Sequence, residues 1–164
     1  MATADDGSDG VDFAVAAWRD DGTWTLSALP PRAATELDAL LSALGRLPSE
    51  VGTLGMVSVD EEYFLLARVS GTRVRLMLSD VGAATESPLA AAVLERLQLP
   101  SPEEDDQVQP AGDLSILSDL GVSARDLAEM CDDEDLYPDE LLGDIAGRLG
   151  FGRDFDEMLD TVYA

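Results

Sequence analysis

Histidine, lysine and asparagine are absent from this sequence, and cysteine occurs once, at Cys131. With neither imidazole nor side-chain amine, the chain lacks the ordinary neutral-pH base, the Schiff-base nucleophile and the phosphate-gripping lysine. Zinc centres built from clustered cysteine and histidine are excluded, and with them the zinc-activated water of nucleobase deaminases. A lone cysteine cannot close an intrachain disulfide, which fits a reducing cytosol. No apolar run approaches about 18 residues, so no membrane span is expected. The start, MATADDGSDG, has neither the positive nor the apolar region of a secretory signal. The nearest approach to a phosphate loop, Gly147 to Gly152, follows a helical pattern rather than a strand and reads as helix termination.

What the sequence does have is acid. Thirty-four carboxylates face ten arginines, a formal charge of −24 on 164 residues. Such a surface repels polyanions and anionic lipid, so direct contact with nucleic acid or membrane is disfavoured. The excess is uneven. Residues 1–100 hold 15 acids and 7 arginines, a net of −8, whereas 101–164 hold 19 and 3, a net of −16. With 46% hydrophobic residues the chain still has ample material for a core.

Along the chain, residues 1–11 read as a disordered acidic tail. Phe13, Val15 and Ala17 alternate toward Trp18, and Asp20-Asp21-Gly22 turns the chain into a return strand at Thr23–Ser27. Trp18 and Trp24 flank that turn and are placed to face each other across the hairpin. Leu37, Leu40, Leu41 and Leu44 mark a helix from Ala33 to Arg46. Three strands follow, at 54–59, 63–69 and 73–78. The last puts Val74, Leu76 and Leu78 on one face and Arg73, Arg75 and Met77 on the other, as in an antiparallel sheet with one solvated side. A helix carrying Leu89, Val93, Leu94 and Leu97 closes this half. The expected architecture is α+β: a five-stranded antiparallel sheet with two helices over residues 12–98, in the order ββαβββα of profilin-like and roadblock-like folds. An acidic, proline-bearing linker at 99–111 leads to a small all-helical domain at 112–164.

Four helices are expected there. Asp113 caps Leu114–Leu120, ended by Gly121; Ser123 caps the second, with Asp126 at its third position. Pro138 opens the third, with Gly150 just past its end and Tyr137 and Phe151 packing as staples at its two ends. The fourth starts near Asp154. The run Asp132-Asp133-Glu134-Asp135 lacks the spacing and glycine of a calcium loop, and no cofactor or metal is expected. Cys131, on a buried helical face beside acids, reads as structural rather than reactive. The residues singled out for contact with a partner are Asp132, Asp133, Glu134, Asp135, Tyr137, Asp139 and Glu140. Their plainer reading is a solvated loop and a helix start whose dipole favours acids.

From FAVAAW, through Ser79-Asp80, to Pro110-Ala111-Gly112-Asp113-Leu114, Asp119-Leu120-Gly121, Cys131-Asp132-Asp133, Leu136-Tyr137-Pro138-Asp139-Glu140 and Arg148–Gly152, the chain resembles the actinobacterial tRNA adenosine deaminase-associated proteins. The match spans most of residues 12–155. It implies a partner and no reaction: a basic protein, with tRNA adenosine deaminase as the named candidate, contacted by the acidic helical part. Two rivals stand beside it. One is a nucleic-acid mimic that inhibits a basic protein. The other is a small-molecule sensor with an apolar cavity near Trp18, Phe64 and Met77.

Overall fold

A computed structural model describes residues 11–30, 34–47, 52–85, 87–99, 110–133 and 135–162. Of the expected disordered tail 1–11, Val11 is instead the buried first residue of a strand and the rest lies outside the described residues, as do most of the 99–111 linker and Glu134. Strands β1 (Val11–Asp20), β2 (Thr23–Ala28), β3 (Thr53–Val59), β4 (Tyr63–Ser70), β5 (Arg73–Leu78) and β6 (Ala111–Gly112) form one antiparallel sheet in the order β2-β1-β3-β4-β5-β6. Among the described residues the sheet therefore has six strands, not five. The added one is the end of the expected linker, where Ala111 pairs with Leu78 and Gly112 with Met77. Only glycine fits there, because its φ of +96° is left-handed and a Cβ would collide with the Leu76 carbonyl.

Helices cover both faces. On one side lie α1 (Leu37–Gly45) and α2 (Pro88–Arg96), whose Leu40, Leu44, Leu89 and Val93 pack on Ala14, Ala16, Val57, Leu65 and Leu78. On the other lie α3 (Ala124–Cys131), α4 (Pro138–Leu149) and α5 (Gly152–Val162), and their Leu127, Leu142, Ile145 and Phe155 share a core with Phe13, Val15, Met56, Phe64 and Met77. Alternation along each strand thus feeds two apolar layers, and β3 and nearly all of β4 are buried throughout.

This corrects the half-solvated reading of β5. The face carrying Arg75 and Met77 is covered by the segment after β6, held by two arginines, while Arg73 at the strand's start stays exposed. Arg68, 5% exposed, donates to both oxygens of Asp119 at 2.6 and 2.8 Å and to the Ile116 carbonyl at 2.7 Å. Arg75 Nε donates to Asp113 at 2.7 Å and its NH2 to the Ser115 carbonyl at 2.8 Å. These bonds account for a second correction. Residues 114–120 do not form the expected α-helix: Asp113 Oδ1 instead accepts the Ser115 N–H and hydroxyl, and only Ser118–Leu120 makes a 3-10 turn. Among the described residues three α-helices, not four, follow.

Other local signals hold. The Ser123 hydroxyl accepts the Asp126 N–H, Pro138 starts α4, and Gly150 ends it at φ +109°. The tryptophans do not face each other. Trp18 is opposite Thr25 and Trp24 opposite Arg19, so the two rings lie on opposite faces. Trp24 packs on Phe151 with ring centroids 4.9 Å apart. Because Trp18 is on one face and Phe64 and Met77 are on the other, these three cannot line one cavity.

Candidate acidic docking site

The site is built where β3 turns into β4. Asp60 and Glu61 both hold left-handed backbone, at φ +53°, and the turn closes with the Glu62 N–H on the Val59 carbonyl at 2.9 Å. A β-branched or bulky residue pays most for such a conformation, aspartate least, and glutamate stands between them. What pins the turn is Asp12. The β1–β3 register shifts between Val11 and Phe13, leaving Asp12 as the extra residue of a bulge. Its Oδ2 accepts the Glu61 N–H at 2.8 Å and the Ser58 hydroxyl at 3.0 Å. Strand, bulge and turn together present Glu61 and Glu62 at one end of the sheet.

Two adjoining clefts, each of about 330 Å³, open around this turn. The first has Glu61, Glu62, Asp80 and Asp133 on its walls and Phe64, Cys131, Pro138 and Leu141 as apolar floor. Tyr137 stands at its rim, 61% exposed. The second is lined by Asp12, Phe13, Ser58, Glu61, Asp139 and Leu159. Among the described residues, six carboxylates and no arginine line the pair. A larger hollow of about 600 Å³ between α1 and α2 mixes acids with Arg96 and has no comparable single-sign wall.

Tyr137 is fixed by its backbone, not its ring. Its N–H donates to Glu140 Oε1 at 3.0 Å at the start of α4, leaving the phenol in solvent. Of its two expected staples, α4 keeps Phe151, which is buried; Tyr137 does not pack. Asp80 sits just past β5, its Oδ1 accepting the Gly82 N–H at 2.9 Å. Burial raises its carboxyl above the ordinary range, and the Gly82 bond offsets only part of that. Buried Ser79 accepts the Phe64 N–H at 2.9 Å and seats the end of β5 against β4.

An acid pushed upward destabilises the folded chain while ionised and stops doing so once protonated. Asp80→Asn keeps an oxygen for Gly82 and removes the partly buried charge. It is expected to raise the melting temperature by a few degrees, about 1 kcal/mol or less, at pH 7. The gain should shrink as the pH falls to where the wild-type carboxyl is protonated, and thermal melts of both proteins across pH check it.

The clefts offer no activated nucleophile. The Cys131 thiol is pushed up to about 12, by burial first and by Asp132 second. Tyr63, bonded to Ser87 at 2.6 Å, is also raised to about 12 by burial. Among the described residues no three Asp, Glu or Cys side chains are grouped to hold a metal ion.

Of the residues singled out from sequence, Asp133 and Tyr137 line the first cleft and Asp139 the second. Glu140 caps α4. Asp132 and Asp135 are exposed but line neither cleft, and Glu134 lies outside the described residues. Sequence reasoning missed Asp12, Glu61, Glu62 and Asp80. Residues 60–62 were legible only as the connection between the strands at 54–59 and 63–69, and no local pattern announces the bulge at Asp12.

Fold and site together define a three-layer protein, an antiparallel sheet with helices on both faces, that presents a carboxylate-walled cleft with a solvent-facing tyrosine at its rim. The chain belongs to the Rv3753c-like tRNA adenosine deaminase-associated protein family, whose sequence profile matches residues 12–152. It is similar to Protein Rv3753c of Mycobacterium tuberculosis (strain ATCC 25618 / H37Rv), 38% identical over 153 residues that make up 92% of this chain and 88% of that protein. The family description is that of a protein associated with a deaminase, not of a deaminase. No solved structure matches the chain. Among the described residues, no helix is long and apolar enough to cross a membrane.

Proposed function

We propose that this chain is a non-catalytic, cytoplasmic accessory protein that docks a cationic surface of a tRNA adenosine deaminase in its acidic clefts. The observation that carries the reading is the wall of six carboxylates, unaccompanied by arginine among the described residues, around an apolar floor and the exposed Tyr137. An enzyme that holds tRNA needs a positively charged surface for the phosphates. Opposed potentials speed encounter with such a surface, while the rim tyrosine and the apolar floor supply residence time once they are covered. Tyr137 also suits an arginine or lysine stacked on its ring. Occupying the enzyme's cationic surface would shield it until tRNA displaces the accessory protein.

The experiment is co-purification of this chain with the tRNA adenosine deaminase of the same organism. The complex is expected at about 0.05 M salt and is expected to be lost above about 0.5 M, where the Debye length falls to a few ångströms. No association at any ionic strength would end this reading.

A further inference from the structure

The two edges of the sheet are treated differently. On one side the two-residue β6 closes β5, and the next residue, Asp113, is tied to the Leu76 carbonyl and to Arg75. On the other side β2 is six residues long, Thr-Trp-Thr-Leu-Ser-Ala, and among the described residues it pairs with β1 alone. Natural edge strands are blunted with charge, proline or a bulge. β2 has none of these, and in a chain with 27% charged residues the stretch from Gly22 to Pro31 carries no charge at all.

The register shows what such an edge accepts. The Leu29 N–H donates to the Ala14 carbonyl at 2.8 Å, and these residues are opposite each other. Alternation then turns the backbone groups of Thr23, Thr25 and Ser27 toward β1, and those of Trp24, Leu26 and Ala28 outward. We infer that β2 pairs antiparallel with the β2 of a second copy about a two-fold axis at Leu26, joining the two sheets into one.

The strand is complementary to itself in this arrangement. Leu26 meets its own mate, and Trp24 lies beside the small Ala28 of the other copy. On the opposite face Thr25 lies beside Ser27, hydroxyl against hydroxyl. About six new backbone hydrogen bonds form. The acidic Asp20-Asp21 turns fall at opposite ends of the ribbon, roughly 20 Å apart for six residues. That is more than two Debye lengths at physiological salt. A parallel pairing would bring the turns together. The acids of α5, which packs over this face of β2, still oppose association, so salt strengthens the dimer, the reverse of its effect on the acidic clefts.

Sedimentation equilibrium of the full chain at about 0.1 and about 0.5 M NaCl tests this, at salt levels that differ about twofold in Debye length. A reversible dimer is expected, tighter by several-fold at the higher salt, with slowed amide exchange at Trp24, Leu26 and Ala28. Ala28→Pro places proline where the N–H faces outward, so β1–β2 pairing is kept and association is lost with circular dichroism unchanged. Thr25→Glu, at a side chain exposed in the monomer, gives a second test: association falls about tenfold at low salt. A chain that stays monomeric at both salts, or a dimer that survives Ala28→Pro, overturns the inference. So does a monomer whose complex with a basic protein is lost in Ala28→Pro, since the edge would then belong to that partner.

Discussion

Asp119→Ala should destabilise the fold by about 3 kcal/mol, and Arg68→Met by less than half of that. The asymmetry comes from where the two charges sit. The Arg68 side chain is 6% exposed and that of Asp119 55%. Removing the carboxylate takes two charge-assisted bonds from a buried guanidinium, which keeps its bond to the Ile116 carbonyl. Breaking a buried ion pair by removing one partner costs about 3–5 kcal/mol, and the exposure of Asp119 places this pair at the low end. Removing the guanidinium leaves a carboxylate that water already reaches, and methionine refills most of the stem's volume. For a chain of this length, about 3 kcal/mol lowers the melting temperature by roughly 6–12 °C. Equal losses for the two variants would mean that the pair is not what staples residues 113–120 to the sheet.

The same bonds set the acid limb of stability. Asp119 is held below the ordinary carboxylate range by the Arg68 hydrogen bonds. For Asp113 burial pulls upward, but bonds from Arg75 and Ser115 outweigh it and the net direction is down. A depressed folded value stabilises above the unfolded value of about 3.9 and loses that contribution as the pH falls through the folded one. Wild-type stability should therefore drop below about pH 4, and Asp119→Ala should show a shallower drop. Denaturant melts between pH 2 and 5 would show it.

The second large effect concerns the clefts. Neutralising Glu61, Glu62 and Asp133 together, as Glu61→Gln, Glu62→Gln and Asp133→Asn, should weaken the deaminase complex about 100-fold. Each rim charge facing a cation contributes about 1 kcal/mol at low salt, and about 1.4 kcal/mol is tenfold. These three side chains are exposed, and removing them relieves mutual repulsion, so folding should be unharmed or slightly improved. Asp12 must be left alone, because its carboxylate holds the turn by accepting the Glu61 N–H. A triple variant that folds like wild type and binds equally well would remove the clefts from the interaction.

How much of this could be read in the residues follows from the range of the interactions. The strand runs at 63–69 and 73–78, the leucine stripe of α1, Ser123, Pro138 and Gly150 are local signals, and the structure agrees with them. The second covered face of the sheet is not local. Arg68 and Asp119 are 51 residues apart, and nothing near Arg75 in sequence says that its partner is Asp113. An arginine on a strand reads as solvated until the segment that buries it is known. Residues 114–120 fail as a helix for the same reason, since tertiary bonds to β4 and β5 claim the carbonyls of Ser115 and Ile116. The site divides in the same way. Tyr137, Asp133 and Asp139 lie in one dense acidic stretch, whereas Asp12, Glu61 and Asp80 come from three separate strand ends that only the folded sheet gathers.

Calorimetric titration of the deaminase with the wild-type chain and with the Glu61→Gln, Glu62→Gln, Asp133→Asn variant, from about 0.05 to about 0.5 M salt, addresses the central claim most directly. The two affinities should differ about 100-fold at the low end and converge as salt screens the carboxylates. Curves that coincide at low salt, or a gap that persists undiminished at high salt, would contradict an acidic docking surface at this end of the sheet.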